Sequence, residues 1–383
     1  MSAKPEMIPL AKPPTGPEEE QAAAAVIAGG WLTQGPKTAE FEGLIADYLG
    51  VPEAVATDNC TTALQLALES MGLESGDEVV VPSLSFIATA NAVVHAGGVP
   101  VFADVAPGTF NVDAATMAAA ITDRTCVLMP VHQVGLAADI ESIARLAESR
   151  GLQVLEDAAC ALGARDHRGR HVPMHETACL SFHPRKSITT GEGGMIVSRD
   201  PDLAQRAREV RSHGMSLSDL DRHRQGGLVE ASYRYVGHNF RMSDINAAVG
   251  IAQFARLDHI LERRAAIAAR YDAAFAGTPG VEPPFVPPGY RHSYQSYVVT
   301  ITEESARDRD AVREFLLAAG VATRVGVMAA HLEPVYRDAV RGPLPETERM
   351  TTTSMVIPLF PQMDGGQIER VVAAIERAVS GRS

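Results

Sequence analysis

Between Glu53 and about Asp200, short apolar runs alternate with stretches of helical spacing. The runs are Ala54–Thr57, Glu78–Val81, Val99–Val105, Cys126–Val131, Gln153–Glu156, Ala178–Phe182 and Met195–Ser198. Several are continuous Val, Ile and Leu rather than in–out alternations, the pattern of strands covered on both faces. Strands and helices in alternation predict an α/β layer on a mostly parallel sheet. Ahead of this block, Pro17–Gly30 reads as a helix, with Pro in its first turn, glutamates at its positive end and glycines at its stop. Thr38–Gly50 reads as a second, with a Thr cap, an apolar face of Phe41, Leu44, Ile45 and Tyr48, and a terminal Gly. These two predict an N-terminal arm over residues 1–50.

Beyond Asp200 the pattern turns helical, then polar from His213 to Asn239, where Arg and His are dense and a loop is expected. One long helix is predicted from a Ser243-Asp244 cap to about Ala274, ending at Gly277-Thr-Pro-Gly280. Ser296–Ile301 reads as a strand, Asp308–Ala319 and Gly366–Val379 as helices. This is a smaller α+β domain, so the expected division is 1–255 (large domain, arm included) and 256–383.

Composition narrows the function. The net charge of −13 argues against a nucleic-acid or anionic-membrane surface, either of which needs a basic patch. No stretch reaches the 18 or so apolar residues of a membrane helix, the N-terminus has no export-signal layout, and a cytoplasmic protein is expected. Cys60, Cys126, Cys160 and Cys179 lie far apart with no metal spacing, so they read as reduced thiols and no metal is expected.

Of 34 basic residues only four are lysines, at positions 4, 12, 37 and 186. Lys186 stands alone in the glycine-rich stretch Ser181–Met195. Arginine is never deprotonated, whereas a desolvated lysine becomes a neutral nucleophile able to condense with a carbonyl. Three further features point to the same place. Asn59-Cys-Thr-Thr-Ala63 sits where a strand gives way to a helix, and helix N-termini bind phosphate; an ordinary cap has the same look. Asp157 ends a strand at the sheet edge where ligands bind, and a carboxylate there keeps a pyridine nitrogen protonated; it too has the alternative of a plain helix cap. Phe86 is placed either over a ring or in the core. Together they point to pyridoxal phosphate.

The order and wording of these motifs resemble the DegT/StrS family of sugar aminotransferases over about Leu10–Pro361. Gly76–Ser83 with Phe86, Pro130–His132, Glu156–Ala159, Ser181–His183, Gly191–Gly194, and Asn239–Met242 with Asn246–Ala248 carry the likeness. The resemblance implies the fold type I of pyridoxal-phosphate transferases. It also implies that Lys186 binds the cofactor covalently and shuttles the proton, that Asp157 pairs with the pyridine nitrogen, and that Phe86 stacks on the ring. Thr61, the backbone around Cys60, and Ser181 match the phosphate cradle. Asn239 matches a residue given to the neighbouring subunit's phosphate, which implies a homodimer with active sites at the interface. Two departures stand out: Cys60 occupies a position usually glycine, and Cys160 one commonly Gln or His near the phenolic oxygen. His183, Glu192, Arg241, Arg324 and His331 are substrate candidates, although the wording around Val327-Met328 departs from the family's. Arg222, His223, Arg224 and Arg234 are candidates for a pyrophosphate, or a solvated charged loop.

The expected reaction is transfer of an amino group from an amino acid, L-glutamate first, to a keto sugar, foremost a nucleotide-activated keto-deoxysugar. A keto-cyclitol accepting from L-glutamine is the alternative. Sugar dehydratases of the same fold replace the lysine with histidine, which Lys186 opposes. A non-catalytic regulator typically adds a DNA-binding module, and none is legible here.

Overall fold

The computed structural model describes residues 6–216, 230 and 232–382. Its centre is a seven-stranded sheet. Strands β1 (Glu53–Thr57), β2 (Glu78–Pro82), β3 (Val99–Ala103), β4 (Thr125–Leu128), β5 (Gln153–Asp157), β6 (Thr177–Ser181) and β7 (Gly194–Ser198) lie in the order β1-β7-β6-β5-β4-β2-β3. The pairs from β3 through β6 are parallel, while β7 runs antiparallel to both β6 and β1. All seven predicted runs are strands. Two are shorter than expected: Val99–Val105 stops at Ala103, and Cys126–Val131 becomes Thr125–Leu128. Each chain leaves the sheet there to build the ligand edge.

Helices cover both faces. On one side α2 (Pro36–Leu49) and α8 (Asp244–Phe254) join a core containing Phe41, Ile45, Leu128, Leu180, Phe182 and Met195, and α1 (Pro17–Gly29) packs on α8. On the other, α3 (Cys60–Ser70), α4 (Ala88–His95) and α7 (Pro201–Arg211) bury Leu64, Leu66, Val93, Leu203 and Val210 against Val79, Val81 and Ile196. Between them in sequence lie α5 (Ala114–Ala120) and α6 (Ile140–Arg150).

The start of α2 departs from expectation. Gly35 is its N-cap, and Thr38 lies inside the helix. The buried Asp244 carboxylate accepts from the N–H groups of Gly35, Lys37 and Thr38 and from the Thr38 hydroxyl, so the capping oxygen comes from a distant helix.

The long helix predicted from Ser243 is two: Ser243 caps α8 as expected, and α9 (Leu257–Phe275) restarts after Ala255-Arg256. The break turns Arg256 toward the Pro14 carbonyl and the Glu19 carboxylate. Helix α9 then touches two cores. Leu257, Ile260 and Leu261 belong to the large-sheet core; Ile267, Tyr271 and Phe275 belong to the core of a second sheet.

That second sheet is antiparallel, in the order β10-β11-β9-β8, with β8 (Val281–Glu282), β9 (Tyr297–Ile301), β10 (Arg324–Val325) and β11 (Ser354–Ile357). Helices α10 (Arg309–Ala318), α11 (Pro345–Thr353) and α12 (Gly365–Val379) accompany it. Ile8 bridges Val321 and is buried in this core, so the N-terminal segment crosses to the smaller unit before α1 returns to the larger. Among the described residues, no helix is long and apolar enough to cross a membrane, and no group of metal-ligating side chains gathers.

Candidate active site

The candidate residues collect at the carboxyl ends of β5 and β6, beside the start of α3. Period-two alternation sends the two carboxylates that end β5 to opposite faces. Glu156 is fully buried and accepts from His132 Nε2 at 3.0 Å and from the N–H groups of Met174 and His175. The His132 ring is oriented by Ala138 N–H donating to Nδ1 at 3.0 Å. The motif residues Pro130–His132 and Glu156 are therefore a structural brace.

Asp157 faces the site. Its carboxylate accepts from the Thr89 hydroxyl at 2.8 Å and from Ala159 N–H at 3.1 Å, and Thr89 in turn meets Ser85 Oγ at 2.8 Å. Among the described residues no cation forms an ion pair with it. Burial is the main influence and pushes its pKa up, opposed by those hydrogen bonds and by the nearby Lys186 charge. Thr89, in the first turn of α4, was not among the sequence candidates. A threonine in a helix after a Pro-Ser-Leu-Ser-Phe turn offers no signal that separates it from a packing residue.

Lys186 follows a turn in which its N–H donates to His183 O at 2.8 Å. Its Nζ donates to Cys160 Sγ at 3.2 Å, so this cysteine stands against the amine. Arg324 at the start of β10 is drawn to the same place: burial and the Arg185 charge lower its pKa, and Cys160 acts on it in the opposite direction.

The helix N-terminus is as expected. Asn59 caps α3, its Oδ1 accepting from Thr62 N–H at 2.9 Å while its carbonyl takes Ala63 N–H. Among the described residues nothing takes the N–H groups of Cys60 and Thr61. Gly194 explains how this end comes so close to the sheet: a Cβ there would lie 2.3 Å from the Asn59 carbonyl oxygen and 2.6 Å from Cys60 N. Cys60 itself is helical, so the missing glycine needs no special backbone. Its thiol is buried and held protonated, by burial first and the Asp157 charge next. Ser181, at the end of β6, pairs with Gly194 across the strands and lies beside that helix end.

Phe86 is 62% exposed just ahead of α4 rather than packed in the core. Asn239 is exposed on a segment that bridges Ser212; two residues on, Arg241 bridges Thr57, which brings the segment alongside the strand leading into α3. His183 is partly buried, its Nδ1 accepting from Arg185 N–H at 3.2 Å, and burial lowers its pKa. Glu192 is exposed, and its carbonyl, not its carboxylate, accepts from Asn246 Nδ2 at 2.7 Å. His331 is buried, with Nδ1 2.6 Å from Ser83 Oγ just past β2. Arg222, His223 and Arg224 lie outside the described residues, and Arg234 pairs with Glu209 at 3.4 Å.

This donor set fits pyridoxal phosphate. A buried carboxylate without an ion-paired cation suits a pyridinium N–H, a lone amine suits the aldehyde, and the free Cys60 and Thr61 N–H groups at the start of α3 suit the phosphate.

The sequence profile of the DegT/DnrJ/EryC1/StrS aminotransferase family matches residues 13–376. The chain is 34% identical over 382 residues to the spore coat polysaccharide biosynthesis protein SpsC of Bacillus subtilis strain 168, covering 98% of this chain and 97% of that one. Its structure is similar to that of the aminotransferase TlmJ from Streptoalloteichus hindustanus, with a TM-score of 0.89 and 34% identity over 97% of this chain and 98% of the other. It also resembles the PLP form of the putative sugar aminotransferase Spr1654 from Streptococcus pneumoniae, with a TM-score of 0.90 and 25% identity over 97% and 98% of the two chains.

Proposed function

Because the chain belongs to the DegT/DnrJ/EryC1/StrS aminotransferase family of pyridoxal-phosphate enzymes, we propose that it moves an amino group from an amino acid, L-glutamate first, to the ketone carbon of a sugar. The acceptor we propose is a nucleotide-activated keto-deoxysugar. The observation that carries the reading is the meeting of Lys186 with Cys160 at the sheet edge that also holds the unpaired Asp157. The polysaccharide role in the name of SpsC and the sugar role in that of Spr1654 support the acceptor class.

When bound, pyridoxal phosphate supplies an electron sink for the substrate carbon. The protein's part is positional and electrostatic. Asp157 would hold the pyridine nitrogen protonated, with Thr89 and Ala159 keeping that carboxylate aimed. Lys186 would be the covalent anchor and, when released, the amine that carries a proton. The Cys60 and Thr61 N–H groups with the Ser181 hydroxyl would hold phosphate, and Phe86 would lie against the ring. Arg324, and with it His183, Glu192, Arg241 and His331, bounds the substrate space. Asn239 reaches a second copy of the chain, so the active form is a homodimer with shared sites. The working division into residues 1–255 and 256–383 puts substrate-facing Arg324 and His331 in the smaller domain.

Borohydride reduction of the purified protein should fix the cofactor to Lys186, and Lys186→Ala should lose transamination; undiminished turnover in that variant would sink the mechanism. For the acceptor, the amine-loaded enzyme is screened spectroscopically against keto sugars and keto-cyclitols. Turnover of cyclitols alone would replace the nucleotide-sugar assignment. Hybrids of Lys186→Ala and Asn239→Ala chains should regain partial activity if sites are shared, and failure to do so counts against Asn239.

A further inference from the structure

Arg264 lies in the middle of α9, at the point where that helix passes from one core to the other, and is only 2% exposed. Burying a guanidinium without a counter-ion costs several kcal/mol. Yet among the described residues no carboxylate pairs with it. Its hydrogen bonds all go to main-chain carbonyls: Nη1 to Tyr294 at 3.0 Å and Gln295 at 3.2 Å, and Nη2 to Lys186 at 3.4 Å. Burial alone lowers its pKa to about 10, so it stays charged.

The segment it holds has other ties to the same place. Gln295 Nε2 donates to Arg185 O at 2.7 Å, next door to the lysine. Ser293 Oγ donates to Cys160 O at 3.1 Å. The main chains on both sides of the 3.2 Å Lys186–Cys160 contact are thus fastened to residues 293–295, directly or through Arg264. The segment is itself forced: Tyr294 has φ of 49°, a left-handed conformation that a side chain disfavours.

From this geometry we propose that Arg264 is a positioning residue for Lys186. It ties the lysine turn to the 293–295 segment so that the amine is presented to the cofactor aldehyde from a fixed backbone. The role follows from what an arginine does here that an apolar residue does not. Packing alone would be served by Leu or Met, without a buried charge; three carbonyls from two chain segments need a forked donor. A misplacement of about 1 Å in such a turn is worth up to about a hundredfold in rate.

The proposal rests on Lys186 being the reacting lysine, which the borohydride label on the wild-type protein tests separately. The decisive measurement is the rate at which apoprotein covalently captures added pyridoxal phosphate, followed by absorbance and normalised to the folded fraction. Arg264→Met should slow capture about tenfold or more, and Arg264→Lys, which keeps the charge on a single ammonium but loses the planar fork, should recover part of it. The pH midpoint of the bound chromophore should shift in the Met variant. Wild-type capture and midpoint per folded site, with loss confined to melting temperature, would overturn the proposal. If Arg264→Met fails to fold, Gln295→Ala decides. It removes a partly exposed tie and should slow capture about threefold at unchanged melting temperature; unchanged capture would equally overturn it.

Discussion

Two buried carboxylates at opposite ends of the large sheet have been treated in opposite ways. Glu78 opens β2, and Asp157 closes β5. Glu78 is fully enclosed by partners: Arg341 gives two hydrogen bonds of 2.9 and 3.0 Å, Arg124 one of 2.5 Å, and Thr122 a fourth. Its pKa is pushed down to about 2, chiefly by the Arg341 hydrogen bonds, against burial, with Thr122 and the arginine charges adding to the effect. Asp157 has two neutral donors and no ion-paired cation, and burial pushes its pKa up. At the strand-start end Glu78 is matched by two arginines of the chain; at the carboxyl end, among the described residues, Asp157 has no ion-paired cation, which is the difference expected if it is to hold the proposed cofactor.

The comparison breaks most sharply if the charge on Asp157 is removed. Asp157→Asn should lower kcat by about a hundredfold or more while the melting temperature of the apoprotein stays level or rises, because an uncompensated buried charge goes with it. Equal activity, or a large fall in apoprotein stability, would place Asp157 with Glu78 after all. Glu78→Gln should do the reverse. It should cost about 2 kcal/mol of stability, discounted because both arginines are partly exposed, and leave kcat per folded molecule unchanged.

Acid titration sharpens the contrast. A carboxylate whose folded pKa lies below its unfolded value contributes stability above the unfolded value and loses it as pH falls toward the folded one. Stability should therefore fall between about pH 4.5 and about 2 in the wild type, and this limb should vanish in Glu78→Gln. His292, whose pKa burial lowers to about 3, takes up a proton on unfolding below the ordinary histidine value of 6.5. Its limb, from about 6.5 down to about 3, should persist in both proteins, and chemical denaturation across pH separates the two. The smallest effect is expected at Cys160. Cys160→Ser keeps a small polar neighbour 3.2 Å from the Lys186 amine and should change kcat by only about threefold, measured at saturating donor.

The sheet was legible because buried parallel strands are written as apolar runs, and each of the seven lies close to its expected place. Lys186 stands out in the sequence by its rarity and Asp157 by its place at a strand end, and the structure sets both at one sheet edge. What the chain hid lies where tertiary partners override local preference. Nothing before α2 reveals that its cap is Asp244, some two hundred residues away. Ala255-Arg256 contains neither Gly nor Pro, and the break there coincides with the contacts of Arg256 to Pro14 and Glu19, which local sequence does not reveal. Arg264 is one arginine among many on an amphipathic pattern, and only burial distinguishes it. For Asn239 and for the substrate candidates, the sequence supplies positions and the structure supplies neighbours, while their roles belong to the proposed reaction.

Helix α9 gives its first two turns to one hydrophobic core and its last three to another. Losing either core would strip one end of the helix and strand the Arg264 guanidinium without its carbonyls. The two sheets are therefore coupled in the calorimetric sense. Heated, they should share a single endotherm whose van't Hoff and calorimetric enthalpies agree, and cutting the chain at the 255/256 break should release two fragments that do not melt cooperatively on their own.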